Sequence, residues 1–208
     1  RKKMIGIVSY GLGNISAFSN IYKSLDIPHV IIDKYEQLDK VKKIILPGVG
    51  AFDDAMNQFN QSGLRDSVEK MVLDENIPLL GICVGLQMLG NSSDEGHEKG
   101  LGWIDGNIKL IDTSNITHKT KLPHMGWNTI SITNNNEPLF DSLNSGDRFY
   151  FLHSYYFECN NDQQVIAQTN YGFDFPCAVK LNHIYGVQFH PEKSLKNGIK
   201  LLYNFANL

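Results

Sequence analysis

The stretch Ile77-Pro78-Leu79-Leu80-Gly81-Ile82-Cys83-Val84-Gly85-Leu86-Gln87-Met88-Leu89 decides how this chain is read. Ile77–Ile82 is an apolar run of strand length, and from Val84 the apolar residues recur at helical spacing. Between them stands G-x-C-x-G, with one cysteine where the strand gives way to the helix. That is the thiol version of a nucleophile elbow. A sharp turn there puts the side chain at the strand's C-terminal end, and the glycines leave room for neighbouring elements and a substrate. The sulfur falls at a helix N-terminus, where the dipole and free N–H groups favour thiolate. A lone cysteine is more often a small buried core residue; the strand–turn–helix context is what turns Cys83 toward a nucleophile. Cys159 and Cys177 lack that context and read as core.

Outward from this stretch the first half alternates. Met4–Ser9, His29–Asp33 and Lys43–Leu46 read as short buried strands, and Ile15–Leu25, Ala51–Asn60 and Leu64–Asp74 as helices. Apolar strands alternating with helices mean βαβ units and a parallel sheet covered on both faces. The second half changes character. Trp103–Ile111, Asn128–Thr133, Arg148–His153, Val165–Thr169, Pro176–Leu181 and Ile184–Phe189 read as strands joined by polar turns such as Asn134-Asn135-Asn136 and Asn144-Ser145-Gly146. This part is expected to be largely antiparallel, continuing or flanking the sheet. An amphipathic helix runs from Ser194 to about Ala206. With no repeat or linker, residues 1–208 are expected to form a single α/β domain, an open and mostly parallel sheet with a strand-rich second half.

Composition narrows the function. The 208 residues carry 19 Lys+Arg against 22 Asp+Glu, and 42% are hydrophobic, enough for a sizeable core. Arg occurs only at 1, 65 and 148, too sparsely for bidentate recognition of phosphate and guanine, so no nucleic-acid partner is expected. No apolar run approaches the roughly 20 residues of a membrane span. The opening Arg1-Lys2-Lys3-Met4, followed by Ile5–Val8, resembles the start of a signal peptide, but Ser9 and Tyr10 end the apolar stretch. An odd cysteine count with no CxxC pair argues against a disulfide framework or zinc site, and free thiols suit a reducing, cytoplasmic setting. No metal or cofactor is expected.

Three further constellations matter. His190-Pro191-Glu192 follows the strand Ile184–Phe189, and residues two apart in extended chain point the same way. A carboxylate so placed can hold one imidazole nitrogen while the other takes a proton from a thiol. Alone, the pair could be a surface contact; beside the elbow it completes a Cys-His-Glu triad. Pro47-Gly48-Val49-Gly50 ends the third strand, on the same sheet edge as Cys83. An oxyanion hole in such folds uses the N–H after the nucleophile and one from the loop after strand three, which nominates Val84 and Val49. Read alone, that loop is equally an ordinary βα turn. Gly11-Leu12-Gly13-Asn14-Ile15-Ser16, with Asp33 at the end of the second strand, has the layout of a dinucleotide fingerprint. The third glycine is missing, however, and a plain loop is the preferred reading.

Taken together, Gly81–Gln87, His190–Glu192 and Pro47–Gly50 resemble the class I, triad-type glutamine amidotransferases. Tyr10–Asn14, Pro123–Asn128, Tyr150–Tyr155 and Lys193-Ser194 resemble, more narrowly, the glutaminase subunits that serve imidazole glycerol phosphate synthesis. The resemblance covers nearly the whole chain from Met4. It implies a flavodoxin-like fold. It implies that Cys83 attacks the carboxamide of L-glutamine, that His190 moves the proton and that Glu192 orients His190. Gly48, Gly50, Gln87, Glu95, Ser154 and Tyr155 match substrate-holding positions. Asn14, Met125, Trp127 and Lys193 match segments that dock on a (β/α)8-barrel synthase, which receives the ammonia. Trp127 could equally be a strand-face core residue. Ser92–Gly96 and Lys193–Lys196 depart from the common pattern and resemble a branch that feeds ammonia to a surface amino sugar. A stand-alone γ-glutamyl hydrolase is a further alternative, disfavoured by the Pro123–Asn128 and Lys193 segments.

Overall fold

The computed structural model describes residues 4–208; Arg1–Lys3 lie outside the described residues. The parallel half of the main sheet is built from β1 (Met4–Val8), β2 (His29–Ile32), β3 (Val41–Gly48), β4 (Leu79–Cys83) and, far along the chain, β12 (Ile184–Val187). Their order is β2-β1-β3-β4-β12. Successive residues of β3, β4 and β12 are buried on both sides, so the sheet is covered on both faces. The sheet continues with antiparallel β11 (Asp174–Leu181), β10 (Val165–Asn170) and β7 (Ser131–Ile132). Two antiparallel ribbons flank it: β5 (Gly106–Leu110) with β9 (Tyr155–Cys159), and β6 (His124–Thr129) with β8 (Arg148–His153).

Helices α1 (Ile15–Ser24), α2 (Phe52–Gln61), α3 (Arg65–Glu69), α4 (Val84–Gln87) and α5 (Leu195–Asn207) complete the layers. The i, i+3, i+4, i+7 set Phe52, Ala55, Met56 and Phe59 forms the buried face of α2. Helix α5 buries Leu201, Leu202 and Phe205, and the Tyr22 hydroxyl of α1 donates to the Leu202 carbonyl at 3.2 Å, tying the two helices together. Lys43 of β3 is 1% exposed, and its ammonium bonds the carbonyls of Ala206 and Leu208 at 2.7 and 2.6 Å, capping the end of α5.

The expected elements are present with revised limits. Strand β3 extends through Pro47, because β1 pairs with it only as far as Ile45 and Pro47 needs no donor on that side. The helix after Cys83 is a single turn. The N–H groups of Leu89 and Gly90 bond three residues back, to Leu86 and Gln87, which tightens the chain and ends it. Leu64–Asp74 is α3 followed by a wider π turn over Lys70–Asp74. The strand expected over Trp103–Ile111 is only β5; Trp103 and Ile104 are buried in the turn before it. The strand expected over Asn128–Thr133 is two. Ile130 leaves the ladder to bond Asp147 and Gly146, so β6 and β7 belong to different sheets. Strand β9 was not expected; the polar Ser154 hides the break between β8 and β9.

Register places the site. Gly48 of β3 lies opposite Cys83 of β4, and Val187 of β12 opposite Ile82. The C-terminal ends of three adjacent parallel strands therefore meet where Pro47–Gly50, the elbow and Gln188–Glu192 emerge, the usual position of a site in such a sheet.

Candidate active site

Cys83 has φ +55° and ψ −112°, a conformation a side-chain-bearing residue adopts only under constraint. Its neighbours supply that constraint. A β-carbon on Gly85 would collide with the Leu46 carbonyl, and one on Gly81 would sit 2.6 Å from the Gly85 carbonyl oxygen. Strand, turn and helix are thus pressed together at a distance only glycine allows. The sulfur that this turn projects is almost buried, and it receives the side-chain amide of Gln188 at 3.7 Å. Among the described residues the other two cysteines are inert by comparison. Burial pushes the Cys159 thiol up to about 12, and fully buried Cys177 is pushed up further.

His190 stands beside this sulfur, its N–H anchored to the Tyr150 carbonyl at 2.8 Å. Its Nδ1 is 2.6 Å from Glu192 Oε1, and both side chains are almost fully enclosed. Burial alone would disfavour a charged ring. Hydrogen bonds and opposite charge from the Cys83 thiolate and the Glu192 carboxylate outweigh it and raise His190 to about 10. The arrangement sets an imidazole that holds its proton strongly beside the sulfur, placed to protonate a leaving group.

A cleft of about 290 Å³ opens over the sulfur. Of the residues expected to form the site, Val49, Gly50, Val84, Gln87, Glu95, Ser154, Tyr155 and Lys193 line it together with Cys83 and His190. Glu192 stands behind His190. Gly48 is not among the residues that line the cleft. It lies beneath, where a β-carbon would come within 2.7 Å of the Gly85 nitrogen, so it serves the packing of the elbow. Gly50 has φ +86° with open space around it, so that turn needs glycine for its backbone angle. Val84 begins a helix, so its N–H has no partner within the helix. Both amide hydrogens of Gln87 are engaged, by the Tyr155 carbonyl at 3.2 Å and Gln188 Oε1 at 3.1 Å, so Gln87 can meet a ligand only through Oε1. Glu95 accepts from the Phe52 N–H at 3.2 Å; burial raises its pKa, helped by Asp53 and Asp54, and a cationic ligand group would relieve that.

Residues expected to dock a partner lie outside the core. Met125 is 65% and Trp127 40% exposed, so Trp127 is not a core residue of its strand. Trp127 meets Tyr150 edge-on, and the Lys193 ammonium stands 5.8 Å over the same Tyr150 ring. Asn14 is exposed at the start of α1. The Gly11–Asn14 loop packs closely on its neighbours. A β-carbon on Gly11 would collide with the Gln58 side chain, and one on Gly13 would lie 2.9 Å from Pro47 Cβ, so the glycines seat the loop against its neighbours.

The sequence reading missed Gln188, fully buried between the sulfur and Gln87, and His153 and Leu152 in the cleft wall. Gln188 could have been found, since it lies two residues before His190 in extended chain and shares its face.

The sequence profile described as Glutamine amidotransferase class-I matches residues 10–207. The chain belongs to that family. This class-I glutamine amidotransferase is 48% identical over 205 residues to a Leptospira borgpetersenii protein named imidazole glycerol phosphate synthase subunit HisH, covering 99% of this chain and 100% of that one. It is 50% identical, with the same coverage, to the protein of that name from Bdellovibrio bacteriovorus. It is 41% identical to a Pseudomonas aeruginosa protein named subunit HisH 2, covering 99% and 100%. Among solved structures, a glutamine amidotransferase crystal structure superposes with a TM-score of 0.73 at 19% identity, covering 98% of this chain and 99% of that one. The PurLQS structure from Thermotoga maritima gives 0.71 at 20% identity, covering 100% and 99%. At those identities the structural likeness speaks for the amidotransferase fold.

Proposed function

We propose that this class-I glutamine amidotransferase is the glutaminase subunit of an imidazole glycerol phosphate synthase. It hydrolyses L-glutamine to glutamate and ammonia and passes the ammonia to a synthase partner with a (β/α)8 barrel, in cytoplasmic histidine biosynthesis. The observation that carries the reading is Cys83, held at positive φ beside a His190 that is itself held by Glu192. Relatives that match the chain end to end bear the synthase-subunit name. In this reading residues 1–208 act as one domain, with no cofactor, and form a heterodimer whose complete reaction includes the lyase step on the partner. Nucleic acid and membrane have no part in it.

The chemistry follows from the groups present. The Cys83 thiolate attacks the carboxamide carbon of glutamine, forming a C–S bond while the C=O π pair moves to oxygen. The N–H groups of Val49 and Val84 receive that oxyanion. His190 gives its proton to the departing nitrogen as the C–N bond breaks, leaving a glutamyl thioester and free ammonia. Water, deprotonated by neutral His190, then attacks the thioester; glutamate leaves, and the thiolate and imidazolium are restored. Glu192 keeps the ring in orientation throughout. The zwitterionic head of the substrate needs an acceptor for its ammonium and donors for its carboxylate. Glu95 and the Ser154–Tyr155 segment, with Gly50 and Gln87, line the cleft and are the groups assigned to those contacts. Asn14, Met125, Trp127 and Lys193 present the docking face.

The acceptor of the ammonia is tested directly. The chain is co-purified with its natural barrel partner and supplied with glutamine and either the histidine-pathway nucleotide or an acylated amino sugar. Consumption of ammonia by the nucleotide is the expected result. Consumption by the sugar would favour the paralogous reading, which the departures at Ser92–Gly96 and Lys193–Lys196 motivate. Full glutaminase activity with no partner would favour a stand-alone γ-glutamyl hydrolase.

A further inference from the structure

Two histidines that this chemistry leaves unused are buried between the cleft and a second hollow. His153 lines the cleft. His124 lines the hollow, of about 350 Å³, beside Trp127 and Tyr171. They are direct neighbours across the β6–β8 ladder, and His124 Nδ1 is 2.9 Å from His153 Nε2. Both rings are nearly closed to solvent, at 3% and 7% exposure. His124 is held between Phe151 and Tyr171, with ring centroids 4.7 and 4.3 Å away. Neither ring has a carboxylate bonded to it, and burial draws both down, His124 to about 4 and His153 to about 3. Both are therefore neutral at pH 7.

Neutral rings in this setting have one possible arrangement of protons, and it is fixed from both ends. At one end His153 Nδ1 lies 2.7 Å from the Tyr155 carbonyl, which can only accept, so His153 carries its proton on Nδ1. Its Nε2 is then an acceptor, and His124 must donate from Nδ1. At the other end, Asn128 Oδ1 accepts from the Thr129 N–H at 2.8 Å, and Asn128 Nδ2 donates to the Asn170 carbonyl at 2.8 Å. The remaining N–H of that amide points at His124 Nε2, 3.1 Å away, which must accept. Again His124 carries its proton on Nδ1. The two derivations agree. The donor direction runs from Asn128 through His124 and His153 to the Tyr155 carbonyl, the same oxygen that holds Gln87.

We propose that His124 and His153 are positioning residues, which through this one-directional chain of hydrogen bonds pin the Tyr155 carbonyl, and with it Gln87, against the wall of the glutamine cleft. The proposal rests on the glutaminase reading for the identity of the ligand. It does not rest on that reading for the proton arrangement.

The test has two readouts. In the full-length, 15N-labelled protein at pH 7, long-range 1H–15N correlation reports the tautomer of each ring. Nδ1–H is expected for both; Nε2–H or a doubly protonated ring at either position overturns the chain. The second readout is glutamate formation in the presence of the barrel partner. His153→Phe keeps a ring and loses both hydrogen bonds. It is expected to raise KM for glutamine about tenfold while kcat stays within about threefold. His153→Asn keeps an N–H near the Nδ1 position and is expected to bring KM back to within about threefold of wild type. An unchanged KM in both variants, or an asparagine variant no better than phenylalanine, overturns the positioning role. Should the phenylalanine variant not fold, the wild-type tautomers and the asparagine KM decide. A wild-type chain that forms no glutamate beside its partner, with both tautomers as expected, overturns the glutaminase reading instead and leaves the chain of bonds standing without its ligand.

Discussion

The side-chain nitrogen of Gln188 lies 3.7 Å from the sulfur of Cys83, while the oxygen of the same amide accepts from Gln87. One fully buried amide thus donates to the nucleophile and ties it to the cleft wall. Gln188→Leu keeps the bulk and removes the donor. Glutamine turnover should fall about tenfold, the usual cost of leaving a buried acceptor without its donor. Alkylation of Cys83 by chloroacetamide should slow in parallel. Unchanged rates in both assays would mean that the amide only fills space.

The ionisation of His190 depends on its two partners. Burial works against the charged ring, and the Cys83 thiolate and Glu192 carboxylate together raise it to about 10. Each partner raises the pKa, so losing either lowers it. Ring resonances of His190 followed against pH should titrate near 10 in the wild type. In Cys83→Ala they should move down toward or below the ordinary value of about 6.5. Glu192→Gln should also move them down. Activity is expected to fall as pH rises through about 10, where the departing nitrogen loses its proton source. A His190 ring in Cys83→Ala that still titrates near 10 would contradict the part played by the Cys83 sulfur.

Two glycines in the site have opposite reasons for being glycine. A β-carbon on Gly85 strikes the Leu46 carbonyl, whereas one on Gly50 meets open space and only the positive φ resists it. Gly85→Ala is therefore expected to cost about 3 kcal/mol, because backbone must move. Gly50→Ala is expected to cost about 1 kcal/mol. Urea midpoints of the two variants give the comparison, and equal losses would refute it.

The exposed pair Met125 and Trp127 makes a prediction about association. Trp127→Ala should weaken binding to the proposed barrel partner by about 2 kcal/mol, roughly thirtyfold in Kd by calorimetry, with the urea midpoint unchanged. A large loss of stability with no change in Kd would mean that the indole serves the fold.

The parallel half of the fold was legible because its strands are covered on both faces and read as unbroken apolar runs. Cys83, His190 and Glu192 were legible because their spacing is local: a turn of five residues and a step of two. What escaped depends on contacts between distant segments. Strand β9 was hidden because Ser154 looks like a loop residue until its partner β5 is in place. The interruption at Ile130 comes from Asp147 and Gly146, which no local pattern announces. The close approach of Gly48 to Gly85 is likewise a contact between distant segments that no local pattern announces. His124 and His153 are 29 residues apart, and the bond between them exists only through the pairing of β6 with β8.

That pairing has a further consequence. The ribbon is one peptide layer thick. Met125, Trp127 and Leu152 project from one side of it, His124, Phe151 and His153 from the other, in strict alternation. The two sets share one backbone, so a tilt of the ribbon moves both. Substitutions on the two sides are accordingly not independent, and a change tolerated outside is filtered by what it does to the imidazoles within.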